Sequence, residues 1–125
     1  MINFTKTEYP TILDNLTTTI ICDIDGCIFA HDHFDVNNPD TPLLPGVSEQ
    51  FEAWKSSGCY IIFVTAREES LREFTENQLS KNSISYDTLI MGVGSGRRIL
   101  INDLKPYSKE PTAVAINLER DKGFL

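Results

Sequence analysis

The chain carries several short runs of apolar residues separated by polar stretches, a pattern typical of buried strands in a mixed fold. Residues 17–22 (TTTIIC) and 59–64 (CYIIFV) are almost continuously β-branched or apolar and are too short for a buried helix. Both runs therefore predict central strands of a sheet. Shorter runs at residues 87–91, 99–101 and 113–118 predict a third, a fourth and a fifth strand.

Two stretches between the first three strands have the spacing of amphipathic helices. In residues 47–57 the apolar side chains recur at i, i+4 and i+7, and Gly58 marks the C-terminal end. Residues 68–81 show helical spacing too, with acidic residues early and Lys81 late, the order that the helix dipole favours. Strand and helix alternate, so the sequence predicts an α/β fold. We expect a Rossmann-like three-layer sandwich with a mostly parallel sheet of about five strands.

Length and charge limit the size of the protein and the class of partner. A chain of 125 residues predicts one domain, with its core over residues 17–118. The 11 basic and 18 acidic residues give a formal net charge of −7. A field of that sign repels phosphate backbones and anionic headgroups, which disfavours nucleic acid as a partner.

The cysteines and the absence of long apolar runs indicate a compartment. Three cysteines make an odd count without a paired framework, which is typical of reduced thiols. No run approaches the roughly 18 to 20 apolar residues of a membrane span. Residues 1–11 lack the apolar core of a secretory signal. The sequence therefore predicts a cytoplasmic protein that has no membrane partner.

Acidic and hydroxyl side chains follow three of the predicted strands. Asp23 and Asp25 follow the first strand, Thr65 the second and Asp103 the fourth. Ligands of open parallel sheets bind at the carboxyl ends of the strands, so we expect these side chains to share one site. Gly26 allows the bend that would aim both carboxylates of the first motif at it. Such a hard-oxygen site suits Mg²⁺, which would let a phosphate approach Asp23 for in-line attack.

These motifs, in this order, resemble the haloacid dehalogenase superfamily in its short capless form, over residues 17–106. The resemblance implies that Asp23 is the nucleophile that forms an aspartyl-phosphate and that Asp25 is the general acid and base. It also implies that Thr65 holds a phosphate oxygen. The implied Mg²⁺ ligands are Asp23, Asp25 and Asp103 with the Ile24 carbonyl, and the role of Asn102 beside them stays open.

The chain departs from the superfamily at the basic residue that normally follows the third strand and neutralises the phosphate. No lysine stands between Met91 and the fourth predicted strand. We expect Lys105 to take that role, with Arg97 and Arg67 as alternatives, and we expect Arg98 at the far edge of the sheet. The predicted substrate contacts are Thr65, Ala66, Arg67 and Lys105.

A long polar loop over residues 27–45 follows the first motif, and we expect it to lie over the site. It is too short to be a cap domain, so the sequence predicts an open site that a macromolecule or a second copy of the chain would close. His31 and His33 have no further ligands at zinc spacing, which disfavours a zinc site. Cys27 is disfavoured as a nucleophile because the pattern places no histidine beside it.

Three functions are compatible with these residues. The first is a Mg²⁺-dependent phosphomonoesterase acting on a small metabolite. A sugar phosphate is the choice suggested by resemblance to short capless phosphatases of surface-sugar synthesis. The second is a non-catalytic module that binds a phosphorylated ligand or a protein, which would not need a proton donor at Asp25. The third is a nucleic-acid end phosphatase, which the negative charge disfavours.

Overall fold

The computed structural model describes residues 17–31, 40–107 and 111–124. The described chain alternates strands and helices, as the apolar runs predicted. The elements are strand β1 (Thr19–Asp23), helix α1 (Val47–Ser56), strand β2 (Tyr60–Val64), a single 3₁₀ turn (Glu69–Leu71), helix α2 (Arg72–Lys81) and strand β3 (Thr88–Ile90).

The three strands form one parallel sheet in the order β1-β2-β3. Cys22 lies opposite Phe63, and Phe63 lies opposite Leu89, so the carboxyl ends of all three strands reach the same edge. The first three predicted strands and both predicted helices are thereby confirmed. Strand β1 extends one residue further than predicted and includes Asp23, which places this carboxylate on the sheet edge itself.

One face of the sheet carries the hydrophobic core. Phe51 of α1 stacks on Phe63 of β2, with ring centroids 5.3 Å apart, and Trp54 meets Phe51 edge-on at 4.9 Å. Phe124, near the end of the described chain, packs edge-on against Trp54. Leu79 of α2 is fully buried in the same cluster. Both helices and the C-terminal Phe124 therefore pack in one core with β2, the strand that ends at the predicted site.

The fourth and fifth predicted strands are wrong. Residues 99–101 and 113–118 are described and form no strand, and the Ile101 side chain is 89% exposed. A strand is stabilised by the neighbour with which it pairs, and a three-residue apolar run between Arg98 and Asn102 is too short to indicate a strand by itself. The sheet of the described residues therefore has three strands instead of five.

The predicted three-layer sandwich is also corrected. Ile21 and Ile90 point away from the core face and are exposed, so no described layer covers that side of the sheet. The architecture is a small α/β fold that is compatible with the Rossmann-like class but covered on one face. Among the described residues, no helix has the length and apolar character needed to cross a membrane.

Two backbone segments shape the turn that follows β1. Gly26 has a φ of +89°, a conformation that glycine adopts without strain, and its N–H donates to the Phe29 carbonyl at 2.7 Å. The C-terminal segment locks this turn from outside, because the Asp121 N–H donates to the Gly26 carbonyl at 2.9 Å. Gly123 packs so closely on the Pro45 carbonyl that no side chain would fit there.

Candidate active site

Asp23 ends β1 with a carboxylate that solvent can reach. Its Oδ1 accepts the Ile24 N–H at 2.9 Å, which fixes the side chain at the bend of the chain. The same oxygen lies 3.4 Å from Nη1 of Arg98. The Asp23 side chain is 39% exposed, so a substrate can approach it.

Asp25 is held more firmly than Asp23. Its Oδ1 accepts from Nη2 of Arg67 at 2.7 Å and its Oδ2 accepts from Nε at 2.9 Å, the two parallel bonds of a bidentate pair. The Asp25 side chain keeps 24% exposure, whereas that of Arg67 is only 4% exposed. The carboxylate therefore faces the surface while its counter-ion lies inside.

The guanidinium of Arg67 is anchored on its other side by helix α2. Its Nη1 donates to Oγ1 of Thr75 at 3.0 Å and to Oε1 of Gln78 at 2.8 Å. The Phe74 ring lies beneath it, 5.8 Å from the ring centroid to Cζ. The sequence predicted Arg67 as a substrate contact, and the structure places it as the buried partner of Asp25.

The turn after β2 is rigid. Thr65 is buried, and its Oγ1 accepts the Arg67 N–H at 3.1 Å. The glycine loop that follows β3 closes on this turn, since the Gly92 N–H donates to the Arg67 carbonyl at 2.7 Å and the Val93 N–H to that of Thr65 at 2.9 Å. The adjacent Ala66 is exposed. Ala66 lines the same cleft as Asp25, and Thr65 follows the strand that pairs with β1. The predicted contacts of both residues with a substrate stay predictions.

A cleft of about 290 Å³ opens next to Asp25. Its wall includes His31, whose backbone N–H donates to Oδ1 of Asp121 at 2.8 Å, so the C-terminal segment holds the start of the long loop against the cleft. His33 lies outside the described residues, and the predicted loop is described here only at its two ends. The cleft is lined by Asp25, His31, Ala66, Arg67, Glu68 and Leu71.

The structure does not bring Asp103 to the other two acids. Asp103 forms an ion pair with Lys105 on an exposed segment, and Asn102 donates to Oγ1 of Thr112 at 2.6 Å. Within the described ranges, no three histidine, cysteine or acidic side chains are grouped closely enough to hold a metal ion. The predicted roles of Asp103 in binding metal and of Lys105 in binding phosphate therefore stay predictions.

The fit of the remaining donors to Mg²⁺ can be tested on their contacts. The Ile24 carbonyl accepts the Ile28 N–H at 2.8 Å and two longer N–H contacts, so it takes part in the turn, and its implied role as a ligand stays a prediction. The Asp23 carboxylate is accessible, and Asp25 stands two residues away. Mg²⁺ commonly uses one or two carboxylates completed by water and substrate phosphate. The accessible Asp23 carboxylate fits that donor set, whereas both Asp25 oxygens accept from Arg67.

The two cysteines that flank the first motif are not poised for chemistry. Burial raises the pKa of the Cys22 thiol far above its usual range. Burial, and then the Asp23 charge, raise the pKa of Cys27 to about 11. Both thiols are protonated at neutral pH, which supports the interpretation that Cys27 is not a nucleophile.

Four residues at the site were not found from the sequence. Arg98 was expected at the far edge of the sheet but contacts Asp23, and nothing local in its sequence signals this. Thr75 and Gln78 lie on the buried face of α2 beside Leu79, and a polar residue on such a face was the signal available. Asp121 lies 90 residues from its partner His31, too far apart for any motif to connect them.

Comparison with known proteins gives structural likeness alone. No protein-family profile and no curated protein matches the chain. A chain in the structure of the Pnkp1/Rnl/Hen1 complex matches 79% of this chain at 28% identity and a TM-score of 0.55. A chain in the structure of the Pnkp1/Rnl/Hen1 RNA repair complex matches 74% at 29% identity and a TM-score of 0.50.

A third likeness concerns the fold alone. A protein from Vibrio cholerae shares 18% identity over 72% of this chain and 85% of its own length, with a TM-score of 0.52. The present chain spans only 36% and 28% of the two RNA repair chains it matches. Together with the first two motifs at the ends of β1 and β2, these likenesses suggest an α/β fold of the haloacid dehalogenase type, at low identity.

Proposed function

We propose that the chain is a Mg²⁺-dependent phosphomonoesterase that forms an aspartyl-phosphate on Asp23 and acts on a small phosphorylated metabolite such as a sugar phosphate. The observation that carries the proposal is the pair of carboxylates at the end of β1. Asp23 is accessible, and Asp25 is held by a buried arginine beside an open cleft. This arrangement suits a nucleophile and a neighbouring proton-transfer group.

The two carboxylates would divide the reaction into two displacements at phosphorus. An oxygen of Asp23 attacks the phosphate, the bond to the leaving oxygen breaks, and that oxygen takes the proton that Asp25 carries when the substrate is bound. A water molecule then attacks the phosphorus of the aspartyl-phosphate and gives a proton back to Asp25 as the bond to Asp23 breaks. Because Arg67 engages both Asp25 oxygens, one of those bonds has to be exchanged for the reacting oxygen.

The cleft supports a small, uncharged leaving group. Asp25 lines the cleft. A leaving oxygen that is hydrogen-bonded to Asp25 would therefore place its substituent in the cleft. Glu68 and Leu71 line the same wall, and a carboxylate there disfavours a second phosphate group. At about 290 Å³, the cleft is close to the lower limit of typical ligand pockets. A hydroxylated metabolite meets these requirements better than a polyanion.

Arg98 is the side chain that we propose for neutralising the phosphate. Its Nη1 lies 3.4 Å from Asp23 Oδ1, and both side chains are partly exposed, so the guanidinium can turn from Asp23 to an incoming phosphate. Arg67 is engaged with Asp25 and Lys105 with Asp103. Arg67 and Lys105, two of the cations that the sequence suggested for this role, are therefore already paired with other acids.

Bound Mg²⁺ would screen the carboxylates from the phosphate dianion and polarise its oxygens. Asp23, with Asp25 beside it, would hold the ion, and Asp103 stays the predicted third carboxylate. Closure of the cleft by a second copy of the chain also stays a prediction.

A second candidate is a phosphatase of nucleic-acid ends. It is favoured by the likeness to chains of an RNA repair complex. It is disfavoured by the net charge of −7, since a polymer of phosphates requires a basic surface. A binding module on the same fold is the third candidate, and the second carboxylate at Asp25 speaks against it.

A phosphate-release assay with Mg²⁺ separates the three candidates. The substrates would be p-nitrophenyl phosphate, a set of hexose and pentose phosphates, and an oligonucleotide with a terminal phosphate. We expect release from small phosphates, with the oligonucleotide at least about tenfold slower at physiological salt because of charge repulsion. Preference for the oligonucleotide would favour the second candidate. Binding of small phosphates without release would favour the third.

A further inference from the structure

Arg67 is held from two sides inside the protein. One edge of its guanidinium forms the bidentate pair with Asp25, and Nη1 donates to Thr75 and Gln78 of α2. Thr75 and Gln78 are fully buried, and the Arg67 side chain is 4% exposed. The chain of contacts therefore runs from the interior of α2 through one arginine to a carboxylate at the surface.

Gln78 has a feature that packing alone does not explain. Its Oε1 accepts from Arg67 at 2.8 Å, but its Nε2 has no hydrogen-bond partner among the described residues. Burying an unpaired donor destabilises a fold, and a methionine would fill the same helical position without that cost. The amide is thus accounted for by the oxygen that it presents to Arg67.

The neutrality of the two anchors matters as much as their position. A glutamate at 78 would place a second carboxylate on the same guanidinium and compete with Asp25 for its charge. The amide and the hydroxyl of Thr75 accept hydrogen bonds without adding charge. The buried positive charge of Arg67 is therefore directed at Asp25.

We propose that Thr75 and Gln78 are positioning residues that orient the Asp25 carboxylate by fixing the rotation of the Arg67 guanidinium. The inference rests on the proposed function, in which Asp25 transfers protons to and from oxygens at the cleft. A planar guanidinium fixed at Nη1 can present its other edge in one direction only, and the bidentate pair passes this direction to Asp25. Proton transfer requires such alignment with the leaving oxygen.

The test uses near-isosteric changes in the full chain. Thr75→Val removes the acceptor and keeps the shape, Thr75→Ser keeps the hydroxyl, and Gln78→Met removes the amide. Ser80→Ala, a hydroxyl deletion on the exposed side of α2, is the matched control. Thermal unfolding confirms that each variant is folded. If Thr75→Val does not fold, Gln78→Met carries the test.

The first measurement does not depend on activity. Hydrogen exchange of the Arg67 Nε–H, followed by NMR, should be slow in the natural protein and in Thr75→Ser. We expect it to be at least about tenfold faster in Thr75→Val and Gln78→Met, because the guanidinium can then rotate toward solvent. Unchanged exchange in both variants would overturn the proposal.

The second measurement distinguishes positioning from loss of structure. Alkyl phosphates need protonation of the leaving oxygen and p-nitrophenyl phosphate does not. We therefore expect Thr75→Val and Gln78→Met to lose about tenfold in the single-turnover rate of phosphoryl transfer to Asp23 on an alkyl phosphate alone. Equal losses on both substrates would contradict a role through Asp25. If the natural protein hydrolyses no phosphomonoester, the proposed function fails, and the exchange experiment alone decides whether α2 holds Arg67.

Discussion

Two separate regions of the molecule, the Asp25 side and the Asp103 side, carry acids predicted for the site, and they differ in how these acids are held. Asp25 is paired with a buried arginine that two further side chains anchor. Asp103 is 66% exposed at its side chain and pairs with Lys105, two residues away on the same segment. The first carboxylate is fixed by contacts 42 residues apart in sequence, and the second by a local ion pair.

The difference shows what is needed to hold a charged group in place. Around Asp25 the counter-ion is shielded from water, so the pairing is strong, directional and little affected by salt. Around Asp103 water and ions compete with Lys105, and surface pairs of this kind contribute little. We therefore expect the Asp25 side to be preformed and the Asp103 side to depend on a ligand.

The largest expected effect concerns Asp23, the proposed nucleophile, whose reaction would depend on both Asp25 and Asp103. Asp23→Asn should remove turnover of p-nitrophenyl phosphate, by roughly 10⁶-fold as for other covalent nucleophiles, because the amide cannot attack phosphorus. Phosphate release and the circular dichroism spectrum check activity and fold together. Undiminished turnover in a folded variant would reject the covalent mechanism, and with it the roles proposed for Asp25 and Asp103.

The next effect compares the two ion pairs by stability. Arg67→Met should lower the free energy of unfolding by about 3 kcal/mol, because it leaves Asp25 and its own buried anchors without a partner. Lys105→Met should leave the urea midpoint unchanged, since its pair is exposed. Urea unfolding of both variants checks this. A similar loss in both would show that the Asp103 side is as firmly built as the other.

Metal dependence tests whether Asp103 joins Asp23 and Asp25 in the active protein. Removal of divalent ions by EDTA should stop phosphate release, and Mg²⁺ should restore it. If Asp103 becomes a ligand, Asp103→Asn should raise the Mg²⁺ concentration for half-maximal activity by roughly 10 to 100-fold, the range known for groups that support a metal site. An unchanged Mg²⁺ requirement would keep Asp103 separate from Asp23 and Asp25.

The smallest expected effect concerns the reactivity of Cys27, which reports how well water is excluded from the turn next to Asp23. Cys27 has a pKa raised to about 11 by burial and by Asp23. A raised pKa lowers the thiolate fraction below it, so about 1% is thiolate at pH 9 and the fraction rises tenfold per pH unit from there to pH 10. Alkylation by iodoacetamide, followed by mass spectrometry, should show this rise. Rapid alkylation at pH 8 would indicate that water reaches Cys27 and that the turn next to Asp23 is open.

Local pattern was sufficient for the parts of the fold that satisfy themselves locally. The apolar runs predicted three strands and the helical spacing predicted α1 and α2, because burial on one face imposes a period that can be read along the chain. The run at residues 99–101 has similar composition but is exposed and unpaired. Composition cannot show whether a short run will find a neighbour to pair with.

The sequence by itself determined that two carboxylates lie at the end of the first strand and that a threonine follows the second, since strand ends and a glycine turn are local features. Only the tertiary structure decided which cation each carboxylate meets. Arg67 pairs with Asp25 and Arg98 lies near Asp23, whereas Lys105 stays with Asp103. Charge pairing depends on distance and burial in three dimensions, and neither is encoded in the spacing of residues along the chain.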